Sequence, residues 1–159
     1  MMSQSSSLQG VQVVSLAINL PGPLAAARLR ALGATVTKIE PPAGDPLRAV
    51  APTWYDELTV GQRVVTLDLK DPADRAVAAR ELSRADLMLT AMRPSALVKL
   101  GLDELTAANP HLSHIEIVGH DGIAAEQPGH DLTYQALHGT LQPPTMPTVV
   151  RAGMVSESP

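Results

Sequence analysis

A histidine and an aspartate stand side by side in "PGHDLTYQALHG" (128–139), between a Pro-Gly turn and a short amphipathic run. A neutral imidazole can remove a proton from a substrate, so His130 is a candidate general base. If the run is a helix that begins near Asp131, the positive end of the helix dipole favours a neutral His130. Asp131 has an equally good structural explanation as the N-cap of that helix. The residues alone therefore leave two interpretations open, a catalytic pair and a helix cap beside an incidental histidine.

The other histidines are scattered and do not have the spacing of metal ligands. His111 and His114 lie on or beside a predicted strand, and their spacing puts them on opposite faces. We interpret both as surface or partly buried residues. The chain has no cysteine, which excludes disulfides, thiol nucleophiles and thiolate metal sites. We predict no metal site.

Two common nucleotide-binding motifs are absent from the sequence. The loop after the first predicted strand is "NLPGP" (19–23) and not G-x-G-x-x-G, so a nicotinamide cofactor is not expected. The P-loop pattern G-x-x-x-x-G-K-[ST] is also missing. A ligand of another class is still expected at this loop, because open α/β sheets bind ligands at the carboxyl ends of their strands.

Composition limits the class of protein. At 159 residues and 45% hydrophobic, the chain can bury one substantial core. A net charge of −4 argues against nucleic-acid or anionic-membrane partners, and the near absence of aromatic residues argues against base stacking. The segment "MMSQSSS" lacks the features of a signal peptide, and no apolar run reaches the roughly 20 residues of a membrane span. We expect a cytoplasmic protein.

Apolar, β-branched runs alternate with helix-forming segments along the chain. The predicted strands cover 11–18, 35–40, 62–69, 86–90 and 112–119. The predicted helices cover 24–33, 71–85, 94–101, 103–110 and 131–139. Gly33 is expected to end the first helix, Asp71 and Pro72 to begin the second, and Pro110 to stop the fourth. The proline-rich segment 41–52 is predicted to be a surface loop.

This alternation predicts an α/β fold, a Rossmann-like parallel sheet with helices on both faces. We expect residues 1–7 to be a disordered tail and residues 8–141 to form the large domain. The proline-rich residues 142–159 have no sustained periodicity and are expected to form an extended C-terminal arm.

Four stretches of the sequence, in order and spacing, resemble the class III CoA-transferase family, which includes formyl-CoA and carnitine CoA-transferases and α-methylacyl-CoA racemase. They are "LQGVQVVSLAINLPGPLAAARLRALGATVTKIEPPAGDPLR" (8–48), "VTLDLKDPADR" (65–75), "RADLMLTAMRPSALVKLGLDELTAANPHL" (84–112) and "PGHDLTYQALHG" (128–139). The resemblance covers the N-terminal portion of the family only. It implies a Rossmann-like large domain that holds coenzyme A, as an acyl-CoA substrate, along the carboxyl edge of the sheet.

The resemblance also implies which residues contact coenzyme A. By position these are Asn19, Leu20, Pro21, Leu67, Asp68, Leu69, Lys70, Ala91, Met92, Arg93, Lys99, Val118, Gly119, His120 and Asp121. Because coenzyme A carries several phosphate charges, the cations Lys38, Arg48, Arg63, Lys70, Arg93 and Lys99 are plausible partners. The alternative for each is an ordinary solvated surface charge, and for Lys38 and Lys70 the two interpretations are evenly balanced.

In the racemase branch of the family, the histidine of "GHD" is an α-proton base, and His130 matches it, with Asp131 as its cap and neighbour. The family also places a catalytic aspartate in a Gly-Asp segment, where this sequence has Gly153. The family's "NRGKR"-like stretch is here "TVGQR" (59–63). Family members are more than twice as long and form interlocked dimers, so we expect 142–159 to be truncated relative to the family. The expected partner is a second copy or a complementary chain.

Two functional hypotheses follow from these observations. The first is an enzyme acting on acyl-CoA thioesters, by CoA transfer or by α-proton epimerisation with His130 as base. Transfer through an aspartyl anhydride is disfavoured, because Gly153 has no nucleophilic side chain. The second is a non-catalytic CoA-binding or interaction module that needs a partner chain.

Overall fold

The computed structural model of the chain describes residues 7–120, 122–127 and 129–140. Its centre is a five-stranded, fully parallel sheet in the order β3-β2-β1-β4-β5. The strands are β1 Gln12–Ser15, β2 Thr35–Glu40, β3 Arg63–Thr66, β4 Leu87–Thr90 and β5 Ser113–Glu116. Each lies within a segment that the sequence predicts to be a strand. The predicted α/β fold with a Rossmann-like parallel sheet is confirmed.

Helices lie between successive strands, and two further helical segments follow β5 in the sequence. They are α1 Pro21–Ala31, α2 Pro46–Val50, α3 Pro52–Thr59, α4 Pro72–Leu82, α5 Pro94–Leu100, α6 Leu102–Ala107 and α7 Asp131–Leu137, with a short 3₁₀ helix over Gly122–Glu126. Asp71 caps α4 through its side chain, which accepts from the backbone N–H groups of Ala73 and Asp74, and Pro72 is the first helical residue, as predicted.

The core lies in two apolar layers, one on each side of the sheet. Val13 and Val14 are neighbours in β1, but Val13 packs in a cluster with Ala26 of α1, and Val14 packs in a cluster with Leu82 of α4. Because successive strand residues point to opposite faces, this division places helices on both sides of the sheet. A third cluster joins α2 and α3 to α1 through Leu47, Tyr55 and Leu58.

The prediction of a surface loop over 41–52 is wrong for its second half. Asp45 caps α2 by accepting from the backbone N–H of Leu47, and Pro46 is the first residue of that helix. Pro52 is likewise the first residue of α3. A proline at the first helical position costs no hydrogen bond, and its fixed φ suits the helix, so these prolines begin helices.

Two helix ends also differ from the prediction. Helix α1 begins at Pro21, three residues before the predicted start, because the prolines at 21 and 23 occupy its first turn. Helix α6 ends at Ala107, with Ala108 as its C-cap, three residues before Pro110, which cannot continue the helix. The Asn109 side chain donates to the Leu105 carbonyl at 2.7 Å and satisfies one of the last backbone acceptors of that helix.

The chain divides after Ile117 into two compact units. In the second unit, α7 begins at Asp131, and the backbone N–H groups of Thr133 and Tyr134 donate to the His130 carbonyl. His130 is therefore the N-cap residue, which corrects the prediction that Asp131 caps this helix. The proposed tail, apart from Ser7, and the proposed arm lie outside the described residues, and the domain boundaries stay predictions.

Candidate functional site

The carboxyl ends of β1 and β4 form the topological switch point of the sheet. These strands are neighbours, but the connection after β1 runs towards β2, whereas the connection after β4 runs towards β5. Connections that diverge in this way leave a crevice, and open α/β sheets bind ligands there. The predicted segments Asn19–Pro21 and Ala91–Arg93 directly follow these two strands. The structure therefore brings them to one place.

A close approach of backbones joins the two segments. A Cβ added to Gly22, at the start of α1, would lie 2.1 Å from the Ala17 Cβ and 3.4 Å from the Ala91 Cβ. The absence of a side chain at Gly22 lets α1 begin directly against the ends of β1 and β4. The start of α1 has no side-chain cap, and the positive end of its dipole favours a negative ligand group at the crevice.

Asn19 adopts an unusual backbone conformation in this crevice. Its φ of +69° makes it the one non-glycine residue with positive φ among the described residues. Asparagine tolerates the left-handed region better than most residues, but the conformation still needs support from its surroundings. The support is Asp45, whose Oδ1 accepts from the Asn19 backbone N–H at 2.9 Å. The Asn19 turn is thus fixed by a residue that lies 26 positions further along the chain.

The predicted segment Leu67–Lys70 lies at the same edge of the sheet, after β3. The Leu67 N–H donates to the Glu40 carbonyl at 2.9 Å, and the Leu67 side chain is buried. Asp68 accepts from the Lys70 backbone N–H at 3.0 Å, which shapes a turn with the Lys70 side chain exposed. Leu69 packs against the core cluster that contains Ile39. Of this segment, Lys70 is the residue whose charge is available to a ligand.

Exposed cations follow β4 as well. Arg93 is the N-cap residue of α5 and its side chain is exposed, whereas Met92 packs against the core. Lys99 lies in the last turn of α5 and is also exposed. Arg93 is therefore placed at the crevice, and Lys99 lies one helix length away from it.

Lys38 is the predicted site residue whose environment differs most from expectation. It is 1% exposed, so the interpretation as a solvated surface charge is wrong. Its Nζ lies 2.6 Å from Glu40 Oε1 and 2.5 Å from Asp45 Oδ2. With both carboxylates in contact and no access to solvent, the ammonium has no face left for a phosphate. The geometry argues against Lys38 as a contact of coenzyme A.

Tyr55 and Asp45 complete this group, and the sequence did not single them out. The Tyr55 hydroxyl donates to Glu40 Oε1 at 2.9 Å, and the Lys38 Nζ lies 4.9 Å from the centre of the Tyr55 ring. Burial and the neighbouring Glu40 raise the pKa of Tyr55 to about 12, because both disfavour the phenolate. The sequence does contain a signal for this group. Lys38 and Glu40 lie on one face of a predicted strand, and a Gly-Asp turn (44–45) follows it.

A cleft opens beside this group at the carboxyl ends of β2 and β3. It encloses about 360 Å³ and is lined by Glu40, Pro42, Ala43, Gly44, Asp45, Arg48, Ala49 and Thr66. The exposed Arg48 guanidinium lies over the Tyr55 ring, 5.5 Å from its centre. The cleft combines a cation at the rim with two carboxylates in its wall, and it lies on the same edge of the sheet as the crevice.

Arg63 does not belong to this edge. It is the first residue of β3 and lies at the amino end of the strand. Its guanidinium is paired with Glu81 of α4 and lies 3.2 Å from the Thr37 hydroxyl. The suggestion that Arg63 contacts phosphate is therefore not supported, because parallel strands place their amino ends opposite the ligand edge.

A hydroxyl, an imidazole and a carboxylate line up across β4 and β5. The Thr90 Oγ1 lies 2.9 Å from His114 Nε2, and His114 Nδ1 lies 3.2 Å from Glu116 Oε1. Burial lowers the pKa of His114 below its ordinary 6.5, and Glu116 opposes this only in part. Thr90 is fully buried, so the group is structural and not a nucleophile. His114 is half-buried and His111 is exposed, as predicted.

The second unit contains the remaining predicted site residues. His120 packs edge-on against Tyr134, with ring centres 5.6 Å apart. A Cβ on Gly119 or on Gly129 would lie about 2 Å from the Tyr134 hydroxyl, so both glycines make room for this ring. His130 follows Gly129 directly and its side chain is exposed. Val118 is half-buried, and Asp121 and Gly153 lie outside the described residues.

Among residues 7–120, 122–127 and 129–140, no group of three His, Asp or Glu side chains is arranged to hold a metal ion. Within that same part of the chain, no helix has the length and apolar character needed to cross a membrane.

Comparison with known proteins gives a consistent result. The profile of CoA-transferase family III matches residues 8–154. Cinnamoyl-CoA:phenyllactate CoA-transferase from Clostridium sporogenes is 35% identical over 148 residues, which are 84% of this chain and 36% of that protein. Alpha-methylacyl-CoA racemase from Homo sapiens is 35% identical over 141 residues, 85% of this chain and 35% of that protein. The chain spans about a third of the length of these relatives.

A solved structure agrees with the sequence comparisons. A CAIB/BAIF family protein from Brucella suis superimposes with a TM-score of 0.77 at 31% identity. The match covers 94% of this chain and 44% of the other.

Proposed function

Since the chain belongs to CoA-transferase family III, we propose that it binds acyl-CoA thioesters along the carboxyl edge of its sheet. The observation that carries the proposal is the switch point between β1 and β4. It holds an uncapped helix start, a preformed Asn19 turn and the exposed Arg93 in one crevice. Such an edge suits a long anionic ligand that needs several contact points.

Local charge supports an anionic ligand despite the net charge of −4. Arg48, Lys70 and Arg93 are exposed and follow β2, β3 and β4 respectively, so the carboxyl edge carries a cation after each of these strands. Arginine and lysine bind phosphate through charge-assisted hydrogen bonds. The phosphates of coenzyme A are the groups that these side chains would contact.

The proposed chemistry uses His130. A neutral imidazole nitrogen takes the α-proton of the acyl-CoA, which leaves an imidazolium and an enolate of the thioester. Return of the proton from the imidazolium restores the original α-carbon, whereas a solvent proton delivered to the opposite face of the enolate inverts it, and the imidazolium then releases its own proton to solvent. The exposed position of His130 is compatible with this role. CoA transfer is the other reaction of the family, in which CoA passes from the thioester to a second carboxylate, so that a new thioester forms and the original acyl group leaves as its free carboxylate.

Coenzyme A binding is the first test. We expect calorimetry to give saturable binding of CoA and acetyl-CoA to the purified chain. Arg93→Ala should raise Kd by roughly tenfold, the cost of one charge-assisted hydrogen bond. The matched control is Arg84→Ala, because Arg84 is also exposed but lies after α4, next to the amino end of β4. Equal effects of the two substitutions would contradict a site at the carboxyl edge.

Proton exchange tests the role of His130. We expect the chain to exchange the α-proton of 2-methylacyl-CoA with solvent deuterium, measured by mass spectrometry, and His130→Gln to abolish the exchange. His138→Gln is the control, since His138 lies at the other end of α7 and is exposed. Binding without exchange in the unsubstituted chain would favour the alternative, a non-catalytic CoA-binding module, for which the glycine at position 153 is the supporting observation.

The proposal includes an assembly, either a homodimer or a pair with a complementary chain. It is supported by the likeness to a family whose members form dimers. Light scattering of the purified chain, with and without coenzyme A, should give the mass of a dimer. A monomer under both conditions would leave the complementary chain as the remaining form of this proposal.

A further inference from the structure

A buried ionic group lies directly behind the Asn19 turn. We call Lys38, Glu40, Asp45 and Tyr55 the Lys38 cluster. Its four side chains come from β2, from the loop after β2 and from α3. All four are less than a tenth exposed. Burying one cation with two carboxylates is costly unless every partner is well placed, so a cluster of this kind needs an explanation.

Asp45 uses both of its carboxylate oxygens. Its Oδ1 accepts from the backbone N–H groups of Asn19 and Leu47, each at 2.9 Å. Its Oδ2 lies 2.5 Å from the Lys38 Nζ. The first contact holds the loop after β1, the second holds the start of α2, and the third fixes the carboxylate itself. Asp45 is therefore the residue through which the cluster reaches the Asn19 turn.

The rest of the cluster fixes Lys38. Glu40 Oε1 lies 2.6 Å from the Lys38 Nζ and also accepts from the Tyr55 hydroxyl. The Tyr55 ring covers the ammonium from α3. Because Lys38 is held by β2 and α3, the position of the Asp45 carboxylate is set by rigid elements and not by a loop alone.

The Asn19 turn depends on that carboxylate. Asn19 has a positive φ and an exposed side chain, so its own packing contributes little to holding this conformation. The hydrogen bond to Asp45 supplies a long-range anchor for its backbone N–H. Without an acceptor there, the backbone has a lower-energy alternative at negative φ.

We infer that Asp45 is a positioning residue for acyl-CoA binding, which holds the Asn19 turn in its ligand-binding shape while the rest of the Lys38 cluster holds Asp45. This inference rests on the proposed function and adds a residue that need not touch the ligand. Asp45 is 3% exposed and its oxygens are occupied by protein groups, so it acts through Asn19.

The test compares substitutions at Asp45 with a core substitution elsewhere. Asp45→Ala removes the acceptor, and we expect the Kd for coenzyme A to rise about tenfold or more. Asp45→Asn keeps an acceptor oxygen for Asn19 but points an amide N–H at Lys38, so a smaller rise is expected. Leu82→Ala is the control, because Leu82 is buried in α4 on the other face of the sheet and touches none of these groups. Each Kd is measured at a temperature where the variant is folded.

A second readout reports on the turn without any ligand. The Asn19 amide resonance in ¹⁵N-resolved NMR should shift upfield and lose protection from hydrogen exchange in Asp45→Ala. It should stay close to its original position in Leu82→Ala. This signature separates a local change at Asn19 from a general loss of stability.

The outcomes separate the inference from the proposal beneath it. If the unsubstituted chain does not bind coenzyme A, the proposed function fails and the positioning role fails with it. If the unsubstituted chain binds and both Asp45 variants bind equally well, only the positioning role is overturned. If Asp45→Ala does not fold, an unchanged Kd in Asp45→Asn together with a displaced Asn19 amide overturns the inference, and a raised Kd with a displaced Asn19 amide supports it.

Discussion

The burial of Lys38 shows that the surroundings of a residue determine whether its charge is available to a ligand. In "TVTKIE" (35–40) the lysine alternates with apolar and hydroxyl residues, as an exposed strand residue would. The structure buries it because α2 and α3 cover that face of β2, and neither helix was predicted. The charge of Lys38 could be read from the sequence, but its environment could not, because the residues that surround it come from elements identified only in the structure.

Removing the Lys38 charge should be far more costly than removing a surface charge. In Lys38→Met, Glu40 and Asp45 remain buried as like charges without a cation. We expect a loss of about 3–5 kcal/mol in the free energy of unfolding. Arg63→Met is the matched control, because it breaks the half-exposed pair with Glu81, where a loss of at most about 1 kcal/mol is expected. Urea unfolding of both variants measures the difference, and similar losses would show that the Lys38 cluster contributes little.

The raised pKa of Tyr55 predicts how the chain behaves in alkali. Absorbance at 295 nm should therefore show a tyrosine titration near pH 12. The unfolded chain ionises Tyr55 near its ordinary pKa of 10.0, whereas the folded chain keeps the proton. Stability from this group is therefore complete below pH 10 and is lost as the pH rises towards 12. Tyr55→Phe should remove the late titration, and Tyr134→Phe should leave it in place.

The lowered pKa of His114 affects the stability of the folded chain at acidic pH. Below pH 6.5 the unfolded chain binds a proton at His114 more readily than the folded chain does. Stability therefore falls as the pH drops below 6.5 and is unaffected by this group at higher pH. We expect His114→Gln to flatten part of the fall in thermal midpoint between pH 7 and pH 5. His111→Gln, at an exposed position, should leave the profile unchanged.

At the scale of elements, the predicted helix starts agree with the structure for α4, α5 and α7 and fail for α2 and α3, which are short and open on closely spaced prolines. Asp71 and Pro72 begin α4 as expected. Asp45 and Pro46 begin α2 with the same chemistry, but the short helix that follows has no periodicity to detect. The density of prolines in 41–52 argues against helices, although Pro46 and Pro52 occupy first helical positions.

Element order also explains how much of the candidate site could be predicted. Because ligands bind at the carboxyl ends of parallel strands, the loops after β1, β3 and β4 could be identified once the strands were assigned. Asp45 could not be identified in this way, since its link to Asn19 depends on a fold that brings residues 26 positions apart into contact. The first residues of α1 were also missed, and with them the contact at Gly22.

Gly22 gives a prediction at this scale. An alanine usually favours a helix over a glycine, but here its Cβ would meet the Ala17 Cβ at 2.1 Å. We expect Gly22→Ala to lower the free energy of unfolding by about 1–3 kcal/mol, as overpacking does. Leu24→Ala, at a half-exposed position on the same helix, should change it by roughly 0.5 kcal/mol or less. A stabilised Gly22→Ala variant would mean that α1 can move away from β1 freely.

At the scale of the molecule, charge is distributed unevenly around the sheet. The net charge is negative, yet Arg48, Lys70 and Arg93 stand at the carboxyl edge, while Arg63 at the amino edge is neutralised by Glu81. These three cations favour the approach of an anionic ligand to the carboxyl edge.

The strand order determines when each strand of the sheet can pair during translation. β1 is the central strand, and its two neighbouring strands are synthesised at different times, because β2 begins at Thr35 and β4 begins at Leu87. The Gln12 backbone N–H finds its acceptor, the Asp86 carboxylate, 74 residues later. A ribosome that releases the chain from its N-terminus therefore produces β1, β2 and β3 while one flank of β1 is still unpaired. That flank presents unpaired backbone N–H and C=O groups and is open to wrong pairing until β4 emerges, so slow translation at this stage would prolong exposure to aggregation.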